Sequence, residues 1–180
     1  MLTTVIPYRG DAKRRLPTEL RAGVAIALLG DVVDAALPLG RVVVVTNDAS
    51  VVPPGAEVLS DAGGGQGPAV AAGLDLVEGH ALVVNADLPL VTTAALRRLG
   101  EAGLALVESS DGTTNALSLP DPAVFAPLYG AGSAARFRKH APFVSVAIPE
   151  LAEDVDSLED LERLAPHAGP RTRTLLAVRA

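Results

Sequence analysis

The stretch Val42-Val43-Val44-Val45-Thr46 restricts the fold more than any other part of the chain. It has no polar face, so it suits a strand covered on both sides rather than one with a solvated side. A strand of that kind belongs to a sheet with helices packed against each face.

Similar short apolar runs recur, with longer helix-like stretches between them. Residues 2–7 read as a first strand, 57–59 as a short one and 81–85 as another of buried type. Residues 104–108 and 115–119 read as two strands around an Asp111-Gly112 turn, and 143–148 as the last strand. Helical spacing runs over 17–37 (Leu20, Val24, Leu28, Val32), where Gly30 is expected to interrupt it. Further helices are expected over 69–77, over 92–99 with Thr92 or Thr93 as N-cap, over 133–140, and over 157–164. In the last of these Ser157 precedes Asp160 by three positions, close to a capping box. Residues 51–55 read as a turn, and the apolar run within 171–180 as an edge strand or a surface for a homodimer. Strand and helix alternating in this way predict an α/β sandwich with a mostly parallel sheet, in one domain spanning 1–180.

Composition narrows the function classes. The chain is 49% apolar but only 3% aromatic, so Val, Leu, Ala and Ile must make the core, and no stacking platform for single-stranded nucleic acid is available. A net charge of −6 argues against a nucleic-acid footprint. The absence of cysteine excludes disulfides, thiolate zinc sites and cysteine nucleophiles. No apolar run is read as approaching the roughly 20 residues of a membrane helix. The expectation is a cytoplasmic protein that binds neither nucleic acid nor membrane.

In open α/β sheets ligands bind beyond the carboxyl ends of the strands, so the residues after each buried strand carry the chemistry. After 81–85 comes Ala86-Asp87-Leu88-Pro89-Leu90, where Asp87 either points into the crevice or caps the next helix. After 143–148 come Glu150, Glu153, Asp154 and Asp156. Residues two apart in an extended segment face the same way, so Asp154 and Asp156 can converge on one cation. Two carboxylates with phosphate oxygens and water make the usual Mg2+ shell; a solvated acidic turn before a helix is the alternative. Gly63-Gly64-Gly65-Gln66-Gly67-Pro68 opens a helix, whose unpaired N–H groups suit phosphate, although the sequence is neither a Walker A loop nor G-x-G-x-x-G; a flexible surface loop is the alternative. Arg9, Lys13, Arg14 and Arg15 follow the first strand, placing cations where a triphosphate would lie, unless they form a solvated turn. The loop Tyr129-Gly130-Ala131-Gly132-Ser133 opens the helix bearing Arg136, Arg138 and Lys139 and can hold an anion. His80, His140 and His167 fit no metal or triad spacing and read as surface residues.

Taken in order, these loops resemble a family. Val5-Ile6-Pro7 with Ala12-Lys13-Arg14-Arg15-Leu16, Asn85-Ala86-Asp87-Leu88-Pro89-Leu90, Asp111-Gly112-Thr113-Thr114-Asn115-Ala116-Leu117, Tyr129-Gly130-Ala131-Gly132-Ser133 and Asp154-Val155-Asp156-Ser157-Leu158-Glu159-Asp160-Leu161 resemble the guanylyltransferases of coenzyme F-420 biosynthesis, which act on phosphoenolpyruvate or 2-phospho-L-lactate. The resemblance implies the Rossmann-like, nucleotide-diphospho-sugar-transferase-type sandwich. It implies a GMP transfer from GTP to a phosphorylated three-carbon acid, with Asp87, Asp154 and Asp156 binding two magnesium ions. Lys13 and Arg15 would then act with Asp87 in catalysis; Lys13, Arg15, Gly64, Gly65, Gly67 and Asn85 would hold the nucleotide, and Thr114, Gly130 and Ser133 the acid. Three departures stand out: a compressed first loop with Arg9 where a lysine is usual, Gly65-Gln66-Gly67-Pro68 in place of G-L-N, and a slightly short chain. The competing readings are a nucleotidyltransferase for a molybdopterin or sugar-phosphate acceptor, and a catalytically silent nucleotide-binding module.

Overall fold

A computed structural model describes residues 2–10 and 16–178. Seven strands, β1 (Leu2–Pro7), β2 (Gly40–Val45), β3 (Glu57–Leu59), β4 (Ala81–Val84), β5 (Ala105–Glu108), β6 (Thr114–Leu119) and β7 (Val144–Ser145), form one sheet in the order β3-β2-β1-β4-β6-β5-β7. β1, β2, β3 and β4 run parallel, as does the β5–β7 pair, while β6 is antiparallel to both its neighbours. The reversal at β6 follows from its short connection to β5, since a tight turn joins only antiparallel strands.

The helices are α1 (Thr18–Ala36), α2 (Gln66–Leu74), α3 (Thr93–Glu101), α4 (Ser133–His140), α5 (Pro149–Ala152), α6 (Leu158–Leu164) and α7 (Pro170–Ala177). Alternate strand residues divide the core between the two faces of the sheet. Ile6, Val44, Leu82 and Val84 pack with α1, α3 and Leu151 of α5 on one face. Val5, Val45, Val83 and Leu117 pack with α2 and α4 on the other. That second face gathers all three phenylalanines and Tyr129, with Phe137 at 5.5 Å from both Tyr129 and Phe143. A smaller apolar cluster joins Val24 and Leu28 of α1 to Val155, Leu161 and Leu164.

Several expectations need correcting. α1 is not interrupted at Gly30: it runs unbroken, and the missing side chain instead admits α7, because a Cβ there would overlap the Arg171 side chain. The apolar C-terminal run forms α7 and no edge strand. Its N-terminus is capped by Asp31, whose carboxylate accepts from the amides of Arg171 at 2.8 Å and Thr172 at 3.0 Å. The segment Thr18–Leu39 is, by length and a mean hydropathy of 1.8, apolar enough to cross a membrane, contrary to the sequence reading. More than half of it is buried in this fold, as expected of the central helix of a core. α2 begins at Gln66, so Gly67 and Pro68 lie inside its first turn. The last strand is cut to Val144–Ser145, because Pro149 opens α5 shortly after it. His80 is half-buried, with Nε2 at 2.9 Å from Ser118 Oγ, whereas His140 and His167 are exposed.

Candidate active site

The strands leave β1 in one direction through β2 to β3, and resume on its other side with β4. A topological switch point therefore lies between β1 and β4, the place where a crevice opens at the carboxyl edge of such a sheet. A cleft of about 240 Å³ is found there, lined by Tyr8, Arg9, Gln66, Ala69, Asn85 and Asp87 among others.

One wall of the cleft comes from the glycine loop and the start of α2. Gly63, Gly64 and Gly65 all have positive φ (90°, 88° and 105°), a conformation that side chains disfavour, so this turn into α2 depends on glycine. The loop is held at its base, where buried Asp61 accepts from the amide of Gly63 at 2.8 Å and pairs with Arg9 at 3.4 Å. Gly67 lies against Pro127, in a space a Cβ would fill. Asn85 turns its side chain toward the same wall: Oδ1 accepts from Gln66 Nε2 at 2.7 Å, and Nδ2 donates to the carbonyl of Thr114 at 3.3 Å. Lys13 and Arg15 lie outside the described residues.

Three aspartates meet at the open end of β4. Each of Asp87, Asp154 and Asp156 offers a carboxylate oxygen, and the three atoms lie within 4.8 Å of one another. Asp154 Oδ1 accepts from Ser109 Oγ at 2.9 Å and from Asn115 Nδ2 at 3.5 Å. Burial is the main cause that raises the Asp154 carboxyl above its ordinary value, the negative charge of Asp87 adds to it, and the Ser109 hydrogen bond opposes it. The segment leading on to α6 is fixed by a complete capping box, in which Ser157 and Asp160 satisfy each other's backbone amides. An all-oxygen donor set of clustered carboxylates fits a hard divalent cation such as Mg2+.

The two polar loops meet beside this cluster. Ser133 Oγ donates to Thr114 Oγ1 at 3.0 Å with both residues buried, and the amide of Ala134 donates to the carbonyl of Gly112 at 3.3 Å. Gly130 sits at φ 110° in an exposed turn. Its conformation is bridged by Arg136, which donates to the carbonyls of Leu128, Tyr129 and Ala131 at 2.6–3.1 Å. Arg138 is instead engaged by Glu108 at 2.6 Å and Ser145 at 2.9 Å. Sequence reasoning missed Ser109, Gln66 and the loop-bridging role of Arg136. Ser109 and Gln66 are polar residues flanking turns, and only their partners in space distinguish them from ordinary loop positions.

Residues 19–129 match the model of the MobA-like NTP transferase domain. The chain is 32% identical to phosphoenolpyruvate guanylyltransferase 2 of Rhodococcus jostii RHA1, over 96% of this chain and 88% of that one. The chain belongs to the phosphoenolpyruvate and 2-phospho-L-lactate guanylyltransferase family. Its similarity to the 2-phospho-L-lactate guanylyltransferase of Methanopyrus kandleri is 33%, covering 87% of each chain. Among solved structures, a protein from Desulfovibrio desulfuricans G20 classed as a nucleotide-diphospho-sugar transferase superposes with a TM-score of 0.76 at 14% identity, over 98% of this chain and 94% of that one. At that identity the likeness speaks to the fold, and it is the sandwich expected of a guanylyltransferase of this family. Within the family's frame, Asp87, Asp154 and Asp156 are brought together as a cluster, and Thr114 with Ser133 as a second polar pair.

Proposed function

We propose that this guanylyltransferase moves GMP from GTP onto the phosphate of phosphoenolpyruvate or 2-phospho-L-lactate, releasing pyrophosphate, in the biosynthesis of coenzyme F-420. The observation that carries the reading is the meeting of three carboxylate oxygens within 4.8 Å at the mouth of the β1–β4 cleft. The names of the relatives support the choice of nucleotide and acid.

In this reaction a phosphate oxygen of the acid attacks the α-phosphorus of GTP. The bond from that phosphorus to the bridging oxygen breaks, and the electron pair leaves with pyrophosphate. A phosphate with a second pKa of about 6 is largely ionised at neutral pH, so no side chain is needed as a base. The difficulty is to bring two polyanions together. Asp87, Asp154 and Asp156 would hold magnesium, and the bound ions would neutralise that repulsion between nucleophile and α-phosphate. The amides of the Gly63–Gly65 loop and the first turn of α2 offer donors to the nucleotide's phosphates. Thr114, Ser133 and the backbone at Gly130 offer donors to the acid. Lys13 and Arg15 are assigned to the triphosphate, where they offset charge growing on the leaving group.

We assign the protein to the cytoplasm, working on free GTP and a small acid, with no nucleic acid or membrane as partner. A homodimer would find an apolar patch at Ile26 and Val178, which are 39% and 83% exposed; light scattering of the purified chain tests it. The reaction is tested by pyrophosphate release with GTP, CTP and ATP against phosphoenolpyruvate, 2-phospho-L-lactate, 3-phosphoglycerate, a sugar phosphate and a molybdopterin, followed by the mass of the product. Release with GTP and one of the first two acids is the expected result. Release only with a sugar phosphate or a molybdopterin, or with no acceptor at all, would overturn the assignment.

A further inference from the structure

Ser109 stands at the end of β5, where the hairpin to β6 begins. Its amide donates to the carbonyl of Thr113 at 2.9 Å, and its carbonyl accepts from the amide of Gly112 at 3.0 Å, so both backbone groups close the turn. The side chain is directed inward, with the residue only 7% exposed, and its hydroxyl, which also lies beside the Asp111 carboxylate of the turn, reaches beyond the hairpin. It donates to Asp154 Oδ1 at 2.9 Å, across 45 residues of sequence. The far end of the same hairpin reaches the same oxygen, through Asn115 Nδ2 at 3.5 Å.

We propose that Ser109 is a positioning residue for cation binding: its hydroxyl fixes the rotation of the Asp154 carboxylate so that the cluster with Asp87 and Asp156 is set before a cation arrives. A carboxylate left to rotate between two like charges would turn away from them, and each cation bound would then have to restore the geometry. A buried hydroxyl donating to one oxygen removes that freedom, as partners behind metal-ligating carboxylates commonly do. The turn also ties this function to the acid's loop. Thr114, immediately past the turn, bonds Ser133, and Gly112 within it bonds Ala134. The inference rests on the reading of the three aspartates as cation ligands, and the test separates the two.

Isothermal titration of MnCl2 into the full-length protein, without nucleotide or acid, compares wild type with Ser109→Ala, Ser109→Thr and Asp154→Asn. Melting temperatures confirm that each variant is folded. Ser109→Ala is expected to weaken Mn2+ binding about tenfold, Ser109→Thr to restore it, and Asp154→Asn to abolish it. Wild-type affinity in Ser109→Ala, with binding still lost in Asp154→Asn, overturns the positioning role and leaves the carboxylate site standing. Equal weakening by Ser109→Ala and Ser109→Thr also overturns it, because the hydroxyl would then not be the active group. Wild-type affinity in Asp154→Asn overturns both readings.

Discussion

The backbone amide of Val155 donates to the carbonyl of Asp87 at 3.2 Å. This bond draws the segment between α5 and α6 against the end of β4. Val155 itself is fully buried, packed with α1 and α6. In an extended segment its neighbours must face the other way, so burying one valine aims both Asp154 and Asp156 at Asp87. The acidic cluster is thus a consequence of core packing.

Neutralising any one of these acids should stop the reaction without unfolding the chain. Asp87→Asn and Asp156→Asn are expected to lower kcat/KM by about a hundredfold or more, the scale on which a lost electrostatic contact to the reacting centre is felt. Melting temperature should hold or rise, since the substitution removes a like charge from a cluster. Steady-state kinetics beside a thermal melt checks both. Turnover near the wild-type rate in either variant would remove that residue from the site.

Burial of Asp154, with the neighbouring charge of Asp87 adding to it, predicts a pH-dependent response to magnesium. The folded chain raises the Asp154 carboxyl above 3.8, chiefly by burial, so the folded state takes up a proton more readily than the unfolded one. For the metal-free protein this contribution to stability is present at low pH and is lost as pH rises through the raised value. On the proposed reading, a cation bound to the ionised cluster would compensate for that loss. Millimolar MgCl2 should therefore raise the melting temperature at neutral pH, and the increment should shrink as pH falls toward the ordinary carboxylate range. An increment independent of pH, or absent in wild type and Asp154→Asn alike, would contradict this.

Much of this arrangement was legible from local pattern. The valine run, the strand-end position of Asp87 and the period-two spacing of Asp154 and Asp156 each depend on a few adjacent residues, and each is reproduced. Features that depend on distant partners were not. Gly30 reads as a helix break until Arg171 is seen to occupy the space beside it. The C-terminal run reads as a strand until Asp31 is found capping α7. Ser109 reads as an ordinary turn serine, because Asp154 lies 45 residues further along the chain.

Asp31 carries a stability prediction of its own. It is 3% exposed, and its carboxylate accepts from the amides of Arg171 and Thr172, two of the donors that a helix start leaves unmatched. Asp31→Ala is expected to cost about 1–2 kcal/mol, the range of a lost N-cap. In a chain of this size that lowers the melting temperature by roughly 2–8 °C. Asp31 lies away from the cleft, so kcat/KM at low temperature should be unchanged. An unaltered melt would show that α7 is held on α1 without this cap, by its apolar contacts and the Arg171–Asp34 ion pair at 2.7 Å.

Arg136 offers the sharpest test of the loop proposed to hold the acid. Its guanidinium donates to three carbonyls of one loop, those of Leu128, Tyr129 and Ala131, and the loop so bridged contains Gly130. Only a planar group with several fixed donors can make these bonds together; a lysine ammonium supplies the same charge from one point. Removing the bridge should let the loop wander. Since a displacement of about 1 Å in a positioning group can cost up to a hundredfold in rate, Arg136→Ala is expected to raise KM for the acid about tenfold. KM for GTP should change little, because the glycine loop is anchored separately through Asp61. Arg136→Lys should fall with Arg136→Ala. If the lysine variant keeps the wild-type KM, the arginine acts on the acid through its charge and not through the shape of the loop.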